Sequence, residues 1–274
     1  MDGFKLTQSA LKSLEGEETC PLRFYHQWVK KEFSSGESEA MRKGKFFEYL
    51  ALGADAGKDE AVTDLRKEPG VGKKLTDQLR IEAQANRFRD MFKIGDNKPK
   101  MWNGHEIVEV QIKLTAKRTE GTMDFVTVFK EYTEFSDDED VVGQKYLWDL
   151  KCTKDLSVPA KFNPFSYADA SQADFTQQIY YKLLWKAVRG EDLPTKLFIM
   201  DYSKELRAKR IDIDVSEAKK QEVIQRVNDA LDVIEGLDED APVRPSYNEC
   251  AGCKVKKCLS RIDKNHVYKE KITI

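Results

Sequence analysis

The chain predicts an α/β fold, a central mixed β-sheet flanked by helices, with a helical N-terminal part and a cysteine-bearing C-terminal tail. Three observations carry this. Helical and strand periodicities follow one another in blocks: helices, three strands, a helix, two strands, a helix. The stretches around Phe125–Phe129 and Tyr146–Cys152 are rich in aromatic and bulky residues and read as interior strands. With 274 residues, 40% of them hydrophobic and 34% charged, the chain is long enough and balanced enough for one large globular domain with a substantial core.

Leu6, Ala10, Leu11 and Leu14 recur at helical spacing within 6–33, and Thr7 is placed to cap their start. Cys20-Pro21 interrupts this run, because proline suits the first turn of a helix and no later one. Leu22–Val29 then begins a second helix. Ser34-Ser35-Gly36 is a turn. A helix follows over Met41–Leu52, with Phe46, Phe47, Leu50 and Ala51 apolar and Glu48 set among them. Residues 53–80 are rich in Gly, Asp and Lys. With a helix at about 75–93 and a Gly/Asn/Pro loop at 95–100, they make 53–100 a polar and helical insertion.

The first strand spans Glu106–Leu114. The second carries Asp124 near its start, and the third carries Asp149-Leu150-Lys151. Between the last two lies Ser136-Asp137-Asp138-Glu139-Asp140, read as a solvated acidic tip outside the core. The simplest topology is a hairpin that sets Asp124 beside Asp149. Residues 159–166 are a loop. Ala173–Val188 is a helix closed by Arg189-Gly190, with Phe175, Ile179, Leu183 and Ala187 as its expected apolar row. Leu197–Tyr202 and Lys209–Val215 are two more strands, and Ser216–Ile234 is an amphipathic helix. One domain over 1–274 is expected, with the tail 245–274 folding back on Cys20.

Charge and hydropathy exclude several classes. No run approaches the ~18 apolar residues of a membrane span, so no membrane partner is expected. Met1-Asp2-Gly3-Phe4-Lys5 lacks the basic-then-apolar build of a signal peptide, so a cytoplasmic protein is expected. A net charge of −2 makes no global case for nucleic acid. Any such binding must come from local groups such as Lys113/Lys117/Arg118, Lys154/Lys161 and the tail lysines around Lys254.

Side chains alternate across a strand, so Asp149 and Lys151 share a face and Leu150 takes the other. An Asp and a Lys on an apolar strand are costly to bury unless they pair or hold a metal. A surface ion pair on an edge strand is the plain alternative. Two aspartates and a lysine converging on a hairpin offer oxygens to Mg²⁺ or Mn²⁺ and a cation to a phosphate. Glu48 can add a third acid and the backbone carbonyl of Leu150 a fourth oxygen. Gln177 and Tyr181, one helical turn apart, stand ready to line the same cleft.

Gly44…Glu48, then Gly121-Thr122-Met123-Asp124, then Asp149-Leu150-Lys151, then Gln177…Tyr181 resembles the ordered motif series of the PD-(D/E)XK nuclease superfamily, in particular its RecB-type branch. Each motif alone is weak, and the four in order are specific. Phe47 stands near where many RecB-type members carry His, and Met123 stands where the superfamily name has Pro. The resemblance implies a restriction-endonuclease-like core and metal-dependent phosphodiester hydrolysis in DNA, with an exonuclease on single strands or ends as the expected form. Glu48, Asp124, Asp149 and Leu150 would hold the metal, and Lys151, Gln177 and Tyr181 would complete the catalytic set. A DNA-end binding module with little or no cleavage is the alternative. No G-x-x-x-x-G-K-[ST] motif occurs, so a helicase or recombination partner would supply any unwinding; repair, recombination or phage DNA processing would suit such a chain.

Cys250, Cys253 and Cys258 form a C-x2-C-x4-C run, which reads as metal ligands in a reducing compartment. Cys20 is the expected fourth thiolate, whereas Cys152 reads as a core residue. One cysteine near the start and three near the end resembles the iron–sulfur branch of the same nucleases, which includes AddB-type nuclease domains and CRISPR adaptation nucleases. That resemblance implies a [4Fe–4S] cluster. The last interval is four residues where five are common, and zinc suits four thiolates equally.

Overall fold

The computed structural model describes residues 3–15, 19–34, 38–53, 72–92, 101–133, 136, 138–159, 167–169, 173–244, 250, 253–255 and 258. Much of the expected insertion at 53–100, the loops at 95–100 and 160–166, and most of the tail lie outside these residues. The chain divides into two compact units. One comprises residues 37–116 and 120–220; the other comprises 1–36, 117–119 and 221–274.

The larger unit is built on a six-stranded sheet in the order β1-β2-β3-β4-β5-β6. Its strands are β1 (Met101–Trp102), β2 (His105–Thr115), β3 (Glu120–Phe129), β4 (Lys145–Thr153), β5 (Thr195–Asp201) and β6 (Ala208–Ile213). Neighbours are antiparallel except β4 and β5, which run parallel. A parallel pair needs a crossover, and α5 (Thr176–Arg189) supplies it. The expected hairpin is present: Phe125 pairs with Trp148 and Val126 with Leu147. The register brings Asp124 and Asp149 together at the open end of the hairpin.

Helices α3 (Glu39–Leu52) and α4 (Gly72–Phe92) cover one face of this sheet. Ser38 caps α3 by accepting from the Met41 amide at 3.2 Å. Their core side chains, Phe46, Phe47, Phe88 and Phe92 among them, pack with Phe125, Trp148, Leu150 and Phe198. Each such aromatic, fully buried, contributes about 1.5–3 kcal/mol. On the opposite face Leu197, Ile199 and Ile211 form a second cluster with the half-buried Phe175. Period-2 alternation along β5 thus divides its residues between two cores.

Helix α5 reaches β3 because Gly121 has no side chain. A Cβ there would stand 2.9 Å from Tyr181 Cε1 and 3.2 Å from Leu184 Cδ2. The buried face of α5 is not the expected row. Gln178, Ile179, Tyr180, Lys182, Leu184 and Trp185 are buried, while Leu183 is half-buried and Ala187 exposed. The large Trp185 sets the face. The polar residues on it find partners, Lys182 reaching the Leu193 carbonyl and the Asp192 carboxylate.

The acidic connection between β3 and β4 also departs from expectation. Asp140 is fully buried, with Oδ2 3.0 Å from His105 Nε2 and Oδ1 2.9 Å from Lys196 Nζ. Trp148 Nε1 donates to Thr127 Oγ1 at 2.7 Å, and Thr127 Oγ1 lies 3.1 Å from His105 Nδ1. Indole only donates and carboxylate only accepts, so Trp148 donates to Thr127 and His105 donates through Nε2 to Asp140, while burial disfavours the charged imidazolium. Opposite charges on β5 and β6 make burial of this one acid favourable, which a count of acidic residues cannot show.

In the smaller unit, α1 (Gln8–Leu14) is capped by Thr7, which accepts from the Ala10 amide at 3.2 Å. Helix α2 (Pro21–Phe24) starts on its proline and widens into a π-turn over Tyr25–Val29. Phe24 and Tyr25 are buried, which makes them core residues. Most of α6 (Glu217–Glu235) belongs to this unit, and Arg226 ties it to Glu15 at 2.6 Å. Arg118, one of the basic groups considered for nucleic acid, is paired with Glu235 at 2.6 Å.

Candidate active site

The larger unit gathers Glu48, Asp124, Asp149 and Lys151 at the open end of the β3–β4 hairpin. Asp124 leaves β3 on the face opposite Phe125, and its Oδ2 accepts from the Leu150 amide at 2.6 Å. Asp149 and Lys151, two apart on β4, face the same way, with Lys151 Nζ 2.8 Å from the Asp149 carboxylate. Leu150 between them enters the α3/α4 core. Glu48 arrives from α3, whose Phe46 and Phe47 are anchored in that core. It stands close enough to Asp124 to share a hydrogen bond and to Asp149 to feel its charge.

The electrostatics are those of a surplus of negative charge. Burial raises the Asp124 carboxyl well above the ordinary aspartate range, and the neighbouring Glu48 and Asp149 push it further. Burial likewise raises Glu48, opposed by a hydrogen bond from Gln111 and by Lys151. Burial works against the charge on Lys151, but Asp149 and Asp124 outweigh it and hold the ammonium far above its usual value. The cleft therefore keeps one cation firmly protonated and makes two of its acids reluctant to ionise without a further positive charge.

The two helical residues expected to line the cleft sit together: Gln177 Nε2 donates to Tyr181 Oη at 3.1 Å. The amide that reaches the acids is the next one along, Gln178, whose Nε2 donates to Asp149 Oδ2 at 2.7 Å. Its Oε1 is buried and has no hydrogen-bond partner among the described residues. Trp185 lies seven positions on and must be buried, so position 178 shares its face. That spacing is the signal that points to Gln178. Tyr167, half-buried, lies close enough to Lys151 and Asp149 for their charges to act on its phenol. Gln111 of β2, also absent from the motif series, donates to Glu48 Oε1 at 2.6 Å.

Among the described residues no three His, Cys, Asp or Glu side chains close into a formed metal-ligand shell. The match to a divalent cation is chemical. Three carboxylates offer hard oxygens, burial and neighbouring negative charge make Glu48 and Asp124 reluctant to ionise, and Gln178, whose amide holds Asp149, keeps a buried Oε1 without a hydrogen-bond partner among the described residues.

In the smaller unit Cys20, Cys250 and Cys253 are buried and Cys258 is half-buried. Burial raises the Cys253 thiol, and the nearby Cys20 and Cys258 raise it further. The N-terminal cysteine and the tail thus lie within electrostatic reach of each other, and the Leu22 amide donates to the Pro242 carbonyl at 3.3 Å. Cys152 lies apart on β4, packed against the α3/α4 core. Burial drives its thiol well above the ordinary cysteine value, which makes it inert.

No protein-family model matches the chain. No curated protein matches it either. Solved structures do. A protein described as a "putative exonuclease" from Eubacterium rectale superposes with a TM-score of 0.55 at 16% identity, over 98% of this chain and 91% of its own. An alkaline exonuclease from Laribacter hongkongensis gives a TM-score of 0.40 at 14% identity, over 84% of this chain and 88% of its own. The first likeness extends over nearly the whole chain and establishes that this α/β architecture, a mixed sheet between helices, is shared with the Eubacterium rectale protein.

Proposed function

We propose that the protein is a divalent-metal-dependent deoxyribonuclease of the PD-(D/E)XK type, an exonuclease acting on single strands or DNA ends. One observation carries the reading: three carboxylates, those of the half-buried Glu48 and the buried Asp124 and Asp149, gather around the protonated Lys151. The E. rectale protein, named for exonuclease activity, shares the fold and supports the same class. Asp124, Asp149 and Glu48, with the Leu150 carbonyl, would hold Mg²⁺ or Mn²⁺. Such a cation, when bound, lowers the pKa of a water and polarises the phosphate.

The chain's own residues do the rest. Lys151, held protonated by Asp149 and Asp124, presents its charge to the non-bridging oxygens of a phosphate, where negative charge grows in the transition state. Asp149 holds the ammonium in place, and Gln178 fixes the Asp149 carboxylate from the α5 side. Gln177 and Tyr181 support each other at the rim. Asp124 is locked by the Leu150 amide, so its free oxygen has a fixed direction.

For the smaller unit, four thiolates from Cys20, Cys250, Cys253 and Cys258 would hold a [4Fe–4S] cluster, with zinc the alternative. Metal analysis and the visible absorption of anaerobically purified protein separate the two. The nuclease test uses that same protein, Mg²⁺ or Mn²⁺, and single- and double-stranded DNA labelled at either end. Lys151→Ala and Asp149→Ala run beside the wild type. Metal-dependent cleavage abolished in both variants is expected, and the product ladder gives polarity. A folded wild type that binds DNA ends and cleaves none of these substrates overturns the enzyme reading in favour of an end-binding module.

A further inference from the structure

Gln111 adopts a backbone conformation that its place in the sheet does not call for. Its φ is +48°, in the left-handed region. Among the described residues the other non-glycine positions with positive φ, Lys31, Asn103 and Leu206, all lie outside helices and strands. Gln111 sits in the middle of β2. The register on either side is undisturbed, Val110 facing Phe125 and Ile112 facing Met123, and the slip in this strand lies elsewhere, between Ile107 and Glu109. No bulge at 111 accounts for the strain. A β-strand residue held in a costly conformation persists only where its surroundings impose it, and such residues concentrate at functional sites.

The strained backbone places the side-chain amide within 2.6 Å of Glu48 Oε1. Position 111 is also the β2 neighbour of Asp124, between the pairs on either side of it. Glu48 stands on a helix, Asp124 and Asp149 on strands of the sheet, and Gln111 joins the helix-borne acid to the sheet-borne ones. A glutamate has three rotatable bonds, so without such a restraint it samples many positions relative to the aspartates.

We propose that Gln111 is a positioning residue, which fixes the Glu48 carboxylate in the arrangement that binds the divalent cation. This rests on the nuclease reading above. Groups that hydrogen-bond a ligating carboxylate typically govern metal affinity by ~10–100-fold. Gln111 therefore acts on the metal requirement rather than on the chemical step.

The test uses Gln111→Asn and Gln111→Gly. Both residues tolerate positive φ, so the strand keeps its conformation while the amide is shortened or removed. Mn²⁺ binding is measured by calorimetry and cleavage is followed against Mn²⁺ concentration, with thermal unfolding in EDTA as the fold control. The expected result is a Mn²⁺ dissociation constant and a half-maximal Mn²⁺ concentration ~10–100-fold higher in both variants, with near-wild-type maximal cleavage at saturating Mn²⁺. Unchanged Mn²⁺ affinity in folded variants overturns the positioning role and leaves the nuclease reading intact, as does lowered maximal cleavage at unchanged affinity. A wild type that binds no Mn²⁺ overturns both.

Discussion

Asp124 and Asp149 are neighbours in one cleft, and removing their charges is expected to move stability in opposite directions. Asp124 is raised by burial and by two like-charged neighbours, so in metal-free protein at neutral pH its carboxylate is a liability. Asn keeps an oxygen for the Leu150 amide, now 2.6 Å away, and removes the charge. Relieving such a site typically adds ~1–2 kcal/mol, and for a chain of this size each kcal/mol moves the melting temperature by about 2–4 °C. Asp124→Asn in EDTA should therefore melt roughly 2–8 °C above wild type. Asp149 differs: it is paired with Lys151 and accepts from Gln178. Asp149→Asn weakens charged hydrogen bonds worth ~1.5–3 kcal/mol each and leaves a half-buried ammonium short of its partner, so it should melt several degrees below wild type. Scanning calorimetry with EDTA and with Mg²⁺ decides. Both variants should lose the stabilisation that Mg²⁺ gives wild type. If Asp124→Asn melts below wild type in EDTA, or keeps its full Mg²⁺ response, the account of Asp124 as a buried acid crowded by like charge is wrong.

Other consequences concern the scaffold and pH. Gly121→Ala drives a methyl to 2.9 Å from the Tyr181 ring and should destabilise by about 1–3 kcal/mol in a urea titration, with cleavage reduced as α5 shifts. Gly44→Ala should do the reverse: this mid-helix glycine has nothing within 4 Å of a built Cβ, so alanine adds about 0.5–1 kcal/mol, and a loss of cleavage despite that gain would assign the open space to substrate. Burial holds the His105 imidazole below its ordinary value of 6.5, with Lys196 and Arg210 assisting and Asp140 opposing. The unfolded chain therefore binds more protons, so this group's stability is complete above about pH 6.5 and is lost as pH falls below it; His105→Gln should flatten that limb of the stability–pH curve. Glu48 and Asp124, raised in the fold, have the opposite sign: metal-free stability falls as pH rises from the ordinary carboxylate range through their folded values, and Mg²⁺ binding should release protons that calorimetry in buffers of different ionisation enthalpy detects.

The strands, their hairpin and the pairing of Asp149 with Lys151 were legible because alternation along a strand is a strict period of two, and apolar residues on both faces mark an interior position. The buried face of α5 was not. A row of small and medium apolar residues, Phe175, Ile179, Leu183 and Ala187, competes with a face carrying Trp185 and Tyr180 but interrupted by Gln178 and Lys182. Size decides, since burying the two aromatics outweighs hiding Ala187, and the polar residues follow them inward only because Asp149, Asp192 and the Leu193 carbonyl are there to receive them. Asp140 was misread for the matching reason: its burial depends on His105, Lys196 and Arg210, which are distant in sequence. A polar residue's place is fixed by its partner, and composition does not name partners.

The same reasoning separates the parts of the site by their source. Asp124, Asp149 and Lys151 belong to one hairpin, so strand register alone brings them together. Glu48 and Gln178 come from helices on opposite faces of the sheet, and an amide hydrogen bond ties each to a strand of the site, from Gln111 to Glu48 and from Gln178 to Asp149. Neither amide belongs to the motif series that the sequence resembles. On the proposed mechanism, removing a hairpin residue takes away a reacting group. Removing an amide leaves every reacting group present but imprecisely held, and a carboxylate misplaced by an ångström binds a cation poorly while still repelling its neighbours. The two classes should therefore separate in one assay. Lys151→Ala should abolish cleavage at every Mn²⁺ concentration, whereas Gln178→Ala, like the Gln111 variants, should recover cleavage as Mn²⁺ is raised. If Gln178→Ala behaves as Lys151→Ala does, the amide touches the reacting phosphate or water directly and its role is catalytic.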